Sequence, residues 1–273
     1  MLKQRVITAL VLLPLVMVLI FAVSEQWFLI ILGAVLLGGS WEYTKLAGLS
    51  RHSSAYILVL IQATILGLLF ISSDSWSDGR FLFLGLSCLA WLLMFVRLLV
   101  YKQGDQLNNS YRALSFITAI VSVTTGWFAL CWLRTLPQGT WLILLLLLIV
   151  WAADTGAYFF GKAFGKRKLA PQISPGKTQM GLLGGLITAP LVALLALKLM
   201  PLAPIEPLRL VLITLIVALV SVGGDLLISM HKRTSGFKDS GVLLPGHGGI
   251  LDRLDSLLAA GPFFALGLLV SGM

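Results

Sequence analysis

The sequence predicts an all-α, polytopic integral membrane protein of about nine transmembrane helices, N-terminus cytoplasmic and C-terminus outside. Composition is the first ground: 58% of the residues are apolar and 11% charged, where soluble domains carry roughly a quarter charged residues. Patterning is the second. A bilayer core about 30 Å thick takes roughly 20 helical residues, and apolar runs of that order recur along the whole chain. The third is the placement of charge, which alternates from loop to loop.

In chain order the expected spans are residues 6–23, 27–46, 55–72, 80–100, 113–133, 140–160, 180–199, 208–230 and 255–271. The first starts like a signal sequence, but its apolar part has the length of a full span and lacks a small-residue cleavage site, so it reads as an uncleaved helix. Breaks fall at turn-rich or charged stretches: 72–79, 102–110, 137–139 and 201–207. Trp27, Trp76, Trp141 and Trp151 near span ends are expected as interface anchors. Cys88 and Cys131 fall inside apolar runs and read as small core residues. No internal repeat of the kind transporters show is evident.

Sixteen of the 20 basic residues fall on one side: Lys3, Arg5, Lys45, Arg51, Arg97, Lys102, Arg112, Lys162, Lys166, Arg167, Lys168, Lys177, Lys232, Arg233, Lys238 and Arg253. Positive residues stay on the cytoplasmic side, which fixes the orientation. The net charge of +9 therefore sits in short loops. It suits anionic headgroups and phosphorylated substrates, and no nucleic-acid partner is expected. Before residue 150 the acidic residues are isolated and mostly loop-borne. The chain thus divides into scaffold helices over 1–135, in contact with lipid, and a working part over 136–273 with cytoplasmic loops 161–179 and 231–254.

The polar stretch 221–256 carries Asp225, Asp239, Asp252 and Asp255. Ser221, Asp225 and Ser229 follow each other at i, i+4, i+8 and share a helix face that Lys232 continues. A carboxylate inside a span must be ion-paired with a neighbouring helix, protonated or bound to a cation. Asp252 and Asp255 lie on one side of the next helix, where the helix dipole alone could favour them. Three carboxylates at one interface repel unless a cation sits among them, and hard oxygen ligands suit Mg²⁺. Lys232, Arg233, Lys238 and Arg253, with glycines 236, 241, 246, 248 and 249, have the make-up of a phosphate-binding loop. The loop 161–179 repeats the theme with Asp154, Lys162, Lys166, Arg167, Lys168, Ser174, Lys177 and Thr178 around it. Its Gly-Lys-Thr is not a Walker motif, because Pro171 stands where the first glycine belongs.

The run Ser229-Met-His-Lys232-Arg233, then Lys238-Asp239-Ser-Gly241, Leu244-Pro245-Gly-His247-Gly248-Gly249 and Asp252-Arg253-Leu-Asp255, resembles the signature of phosphatidate cytidylyltransferases, the CDP-diacylglycerol synthases. Asp154-Thr-Gly-Ala-Tyr158, Gly161, Phe164-Gly165, Ser174-Pro175 and Lys177-Thr178 resemble that family's second recurring segment. His231 and Met180 depart from the pattern, standing where relatives usually carry an apolar residue and Glu.

The resemblance implies that CTP and phosphatidic acid give CDP-diacylglycerol and pyrophosphate, in a multi-pass protein of the bacterial inner membrane that forms a homodimer among membrane lipids. It implies Mg²⁺ held by Asp225, Asp252 and Asp255, and a second cation such as K⁺. Lys232, Arg233, Lys238 and Arg253 would hold phosphates, Asp239 would orient Lys238, and His247 would contact phosphate or its own turn. Asp154, Lys162, Lys166, Ser174, Lys177, Thr178, Gly248 and Gly249 would complete the substrate contacts. An ion-coupled transporter is the rival class, but its polar path would cross the membrane, whereas the polar residues here stop at one side. A different membrane transferase is the other; the Asp-x-x-Asp-Gly-x-x-Ala-Arg pattern of CDP-alcohol phosphotransferases is absent.

Overall fold

A computed structural model describes residues 2–49, 52–102 and 107–272, apart from the side chains of residues 2–6, 52, 77 and 78. The expectations for Arg51, for the Lys3 and Arg5 side chains and for part of the 102–110 break lie outside the described residues.

The described residues form nine α-helices: α1 Leu2–Phe21, α2 Glu25–Leu46, α3 His52–Ile71, α4 Trp76–Val100, α5 Asn109–Thr135, α6 Gly139–Phe164, α7 Gln179–Leu199, α8 Pro207–Thr234 and α9 Leu251–Val270. Eight are long and apolar enough to span a membrane, and α1 adds the shorter apolar stretch Ile7–Phe21. The chain is an α-helical, multi-pass membrane protein.

Helix ends follow local chemistry. Glu206 caps α8, accepting from the Leu208 and Arg209 amides at 3.0 and 2.9 Å, and Pro207 opens the helix where no amide hydrogen is needed. At its other end α8 runs to Thr234, past the expected residue 230, because Lys232 and Arg233 complement the negative end of the helix dipole. Since α9 begins at Leu251, Lys232, Arg233, Asp252 and Asp255 stand on helices, and the connecting loop is 235–250.

The loop after α6 is not all coil. Lys168–Ala170 (β1) and Ser174–Thr178 (β2) pair antiparallel, Lys168 opposite Thr178 and Ala170 opposite Ser174. Pro171, Pro175 and Gly176 deny this segment a helix. The hairpin is carried by a closely apposed pair, α6 and α7. A Cβ on Gly156 would overlap Thr188, one on Gly185 would lie 2.8 Å from the Ala153 carbonyl oxygen, and Thr188 Oγ1 donates to the Ala152 carbonyl at 2.8 Å. Such small-residue packing is how membrane helices approach without a hydrophobic driving force.

Helices α3 and α4 expose most of their surface, as lipid-facing scaffold should. Helix α5 does not: it is the most buried span. Gly126 lies so close to Leu258 of α9 that a Cβ would collide. The division at residue 135 is therefore crossed by packing. Trp27 and Trp151 are exposed and Trp141 partly so, but Trp76 is only 7% exposed, its ring 4.8 Å from that of Phe128 in a tilted contact and its Nε1 donating to the Leu69 carbonyl. It is a core residue because Phe128 and Trp127 offer it aromatic faces. Cys88 and Cys131 are free and buried.

Candidate active site

Gly224 sets the separation of α8 and α9. A Cβ there would lie 2.6 Å from the Asp255 carbonyl oxygen and 2.7 Å from Ala259 Cβ, so only glycine lets the helices meet at this level. The contact places Asp225 of α8 beside Asp255 of α9. Both line a pocket of about 300 Å³, with Asp154 from α6, Lys232, Asp239, Asp252, Arg253 and Ser256.

The expected face of α8 is present in part. Ser229 Oγ donates to Asp225 Oδ1 at 3.0 Å, and Lys232 continues into the pocket. Ser221 is fully buried and donates to the Ala218 carbonyl instead. Lys177 Nζ, from β2, pairs with Asp225 Oδ2 at 2.7 Å. Lys232 Nζ pairs with Asp252 Oδ1, also at 2.7 Å. Asp252 Oδ2 accepts from the Ser240 amide at 2.8 Å and from Ser240 Oγ and the Gly249 amide at 3.0 Å each. Asp255 is 7% exposed, and its Oδ1 accepts from the Ser256 amide at 2.7 Å.

Five carboxylates and two basic side chains line this pocket, so its lining is formally negative by three charges if every group is ionised. Such an excess at a low-dielectric interface calls for a cation. The donors available are carboxylate oxygens, the set that Mg²⁺ prefers. Asp225, Asp252 and Asp255 are brought to one pocket, but among the described residues no three His, Cys, Asp or Glu side chains form a ready-made metal cage. Lys177 and Lys232 are ion-paired with two of these carboxylates, Asp225 and Asp252.

The other expected residues divide. Arg253 lines the pocket, while its Nε and Nη2 donate to the His247 carbonyl at 3.0 and 2.7 Å. The His247 amide donates to Leu244 at 2.9 Å, and its Nδ1 is buried without a hydrogen-bond partner. Gly248 has a left-handed φ of +84°, and a Cβ on it would press on Asp252 Oδ2. Arg233 Nε donates to the Ile173 carbonyl at 3.1 Å, tying α8 to the hairpin turn. Lys238 is exposed outside the pocket lining. Lys162 lies over the Tyr158 ring, 5.9 Å from its centroid. Lys166 and Ser174 lie on and beside the hairpin, away from the pocket lining. Thr178 is 5% exposed and caps α7 by accepting from the Gly181 amide at 3.0 Å. His231 is fully buried, its Nδ1 2.8 Å from the Tyr111 hydroxyl and 3.3 Å from Ser115 Oγ.

One residue escaped sequence reasoning. Glu42 of α2 is 2% exposed and accepts from Ser240 Oγ at 2.9 Å, the Ile250 amide at 3.0 Å and the Leu251 amide at 2.9 Å. The available signal was an acidic residue inside an apolar span, although Lys45, one turn on, offered it an ordinary local partner.

Comparison with known proteins shows the family. The model of the cytidylyltransferase family matches residues 3–270. A phosphatidate cytidylyltransferase of Pseudomonas aeruginosa is 42% identical over 273 residues, all of this chain and 98% of the relative. One from Haemophilus influenzae is 35% identical over 281 residues, covering 97% and 98% of the two chains. One from Staphylococcus aureus is 47% identical over 138 residues, about half of each chain. Matched along nearly its whole length, this chain belongs to the cytidylyltransferase family.

Proposed function

We propose that the protein is a phosphatidate cytidylyltransferase: CTP and phosphatidic acid give CDP-diacylglycerol and pyrophosphate at the cytoplasmic face of the bacterial inner membrane. The observation that carries this reading is the pocket, in which acids from α6, α8 and α9 and the bases Lys232 and Arg253 face one cavity next to apolar spans. A phosphate oxygen of phosphatidate attacks the α-phosphorus of CTP, forming the new P–O bond as the bond to the β-phosphate bridging oxygen breaks. Pyrophosphate carries away the electron pair. Phosphatidate is already ionised near neutral pH, so no strong base is required.

Asp225, Asp252 and Asp255 would hold Mg²⁺, which would neutralise phosphate charge, and the remaining acidic lining would take a second cation such as K⁺. Lys232 and Arg253 bind phosphate oxygens in the pocket. Lys238, Arg233 and the hairpin bases Lys162, Lys166 and Lys177 draw the polyanions toward it, with Ser174, His247, Gly248 and Gly249 shaping its surroundings. Asp239 orients Lys238, Asp154 completes the acidic wall, and Thr178 contributes through the fold of the hairpin. Acyl chains extend sideways between helices into the bilayer. The active species is a homodimer.

The test is pyrophosphate release from purified protein in mixed micelles, with CTP, phosphatidate and Mg²⁺ each present or omitted. Release that requires all three is expected; none from folded protein under any combination would end this reading.

A further inference from the structure

We infer that Glu42 is a positioning residue of the site: from the second helix it caps the ninth and fixes the turn that holds Asp252. This rests on the cytidylyltransferase reading for its functional consequence, and on geometry for the clamp itself.

The first amides of a helix have no partner within it. Helix α9 solves this in an unusual way, because its own N-cap residue, Ile250, has helical dihedrals and makes no side-chain cap. The acceptor comes from across the molecule. Glu42 Oε1 takes the Ile250 amide and Oε2 takes the Leu251 amide, 208 and 209 residues away in the chain. A carboxylate at this position also complements the positive end of the α9 dipole. Among the described residues no ion pair neutralises Glu42; its charge is met by hydrogen-bond donors of the loop, which are strong partners for an ionised group.

The loop is shaped to reach it. A Cβ on Gly241 or on Gly249 would overlap the Glu42 carboxylate. Gly249 and Ser240 are also the residues whose amides hold Asp252 Oδ2. The Ser240 hydroxyl lies between the two carboxylates, 2.9 Å from Glu42 and 3.0 Å from Asp252. The path therefore runs from Glu42 through Ser240 and the α9 start to Asp252, which leaves Oδ1 of Asp252 for Lys232.

Glu42→Gln is nearly isosteric but has one acceptor atom where the native residue has two, so one of the three donors loses its partner. Two readouts test the idea on the full-length protein. Amide exchange over residues 240–252, which needs no substrate, is expected to become about tenfold faster or more than in wild type, with the rest of the chain unchanged. Steady-state kinetics are expected to show a kcat lower by about 10- to 100-fold, as for other residues that orient reacting groups, with KM for CTP and phosphatidate within about twofold of wild type. Adding Ser240→Ala to Glu42→Gln is expected to cost no more than the worse single change, because both act through Asp252.

Unchanged exchange, unchanged kcat, or a raised KM at normal kcat would each overturn the proposal. Should Glu42→Ala fail to fold, Glu42→Gln still decides the matter. If wild type itself releases no pyrophosphate, the assignment of the reaction has failed, while the exchange measurement still stands for or against the clamp.

Discussion

Replacing Asp252 by Asn separates the chemistry of the site from its architecture. Asp252 accepts four hydrogen bonds, one of them from Lys232 Nζ at 2.7 Å. The side chains of this pair are 7% and 13% exposed, so solvent does little to screen them. An Asn at 252 keeps one acceptor for the Ser240 and Gly249 amides and turns its amide hydrogens toward Lys232, setting donor against donor. Removing one partner of a buried pair costs about 3–5 kcal/mol because the other charge is left uncompensated. Replacing both partners by neutral groups is often neutral or better. Asp252→Asn is therefore expected to lower the stability of the protein by about 3–5 kcal/mol, and Lys232→Met combined with Asp252→Asn to recover at least half of that. All of these variants should lack turnover. Stability is read by SDS titration in mixed micelles and turnover by pyrophosphate release. A double variant as unstable as the sum of its singles, or an Asp252→Asn protein with wild-type stability, would refute the reasoning.

Asp225→Asn should abolish Mg²⁺-dependent pyrophosphate release yet shift stability by no more than about 1 kcal/mol, since its pair with Lys177 is 24% and 31% exposed; SDS titration and the micelle assay check both halves. Gly224→Val should destabilise by about 1–3 kcal/mol or more and give misassembled protein, because the added carbons meet Asp255 and Ala259; a normal elution profile with full activity would contradict this. Arg233→Met should release the hairpin turn from α8, seen as faster trypsin cleavage at Lys166–Lys168, and lower turnover less than Lys232→Met does. Raising the salt concentration should raise KM for CTP more than it lowers kcat, because the hairpin bases act through a screened field.

Much of the fold was legible in the sequence because membranes demand continuous apolar runs, and the helix ends moved by only a few residues from where hydropathy alone puts them. The i, i+4 spacing of Asp225 and Ser229 translated into a hydrogen bond, and Asp252 and Asp255, on one side of a helix, share one pocket with Asp225. Depth within the bundle was not legible. Helix α5 is less apolar than the lipid-facing α3, yet both pass as spans, and the close approach of Gly126 to Leu258 shows that α5 is central. Trp76 read as an anchor because Trp favours interfaces, but the aromatic faces of Trp127 and Phe128 captured it. Partners far apart in sequence were hidden altogether. Glu42 stood as one isolated acid, and nothing local to it announces Ser240 or Leu251. Roles were also hidden: Thr178 belongs to a motif but serves as a helix cap, and Arg233 reaches a backbone carbonyl.

The distance along the chain between Glu42 and Leu251 has a meaning for biogenesis. Ribosomes add about 5–20 residues per second, so the 209 residues that separate the two take roughly 10 to 40 s to make at that rate. For that interval the second helix sits in the bilayer with a carboxylate whose acceptor sites have no donors from the loop, because the loop does not yet exist. Helix α9, made long after α2, thus closes a contact that has stood open since early in synthesis. Completion of the reaction pocket and hydrogen bonding of the Glu42 carboxylate are a single event, more than 200 residues after α2 is made.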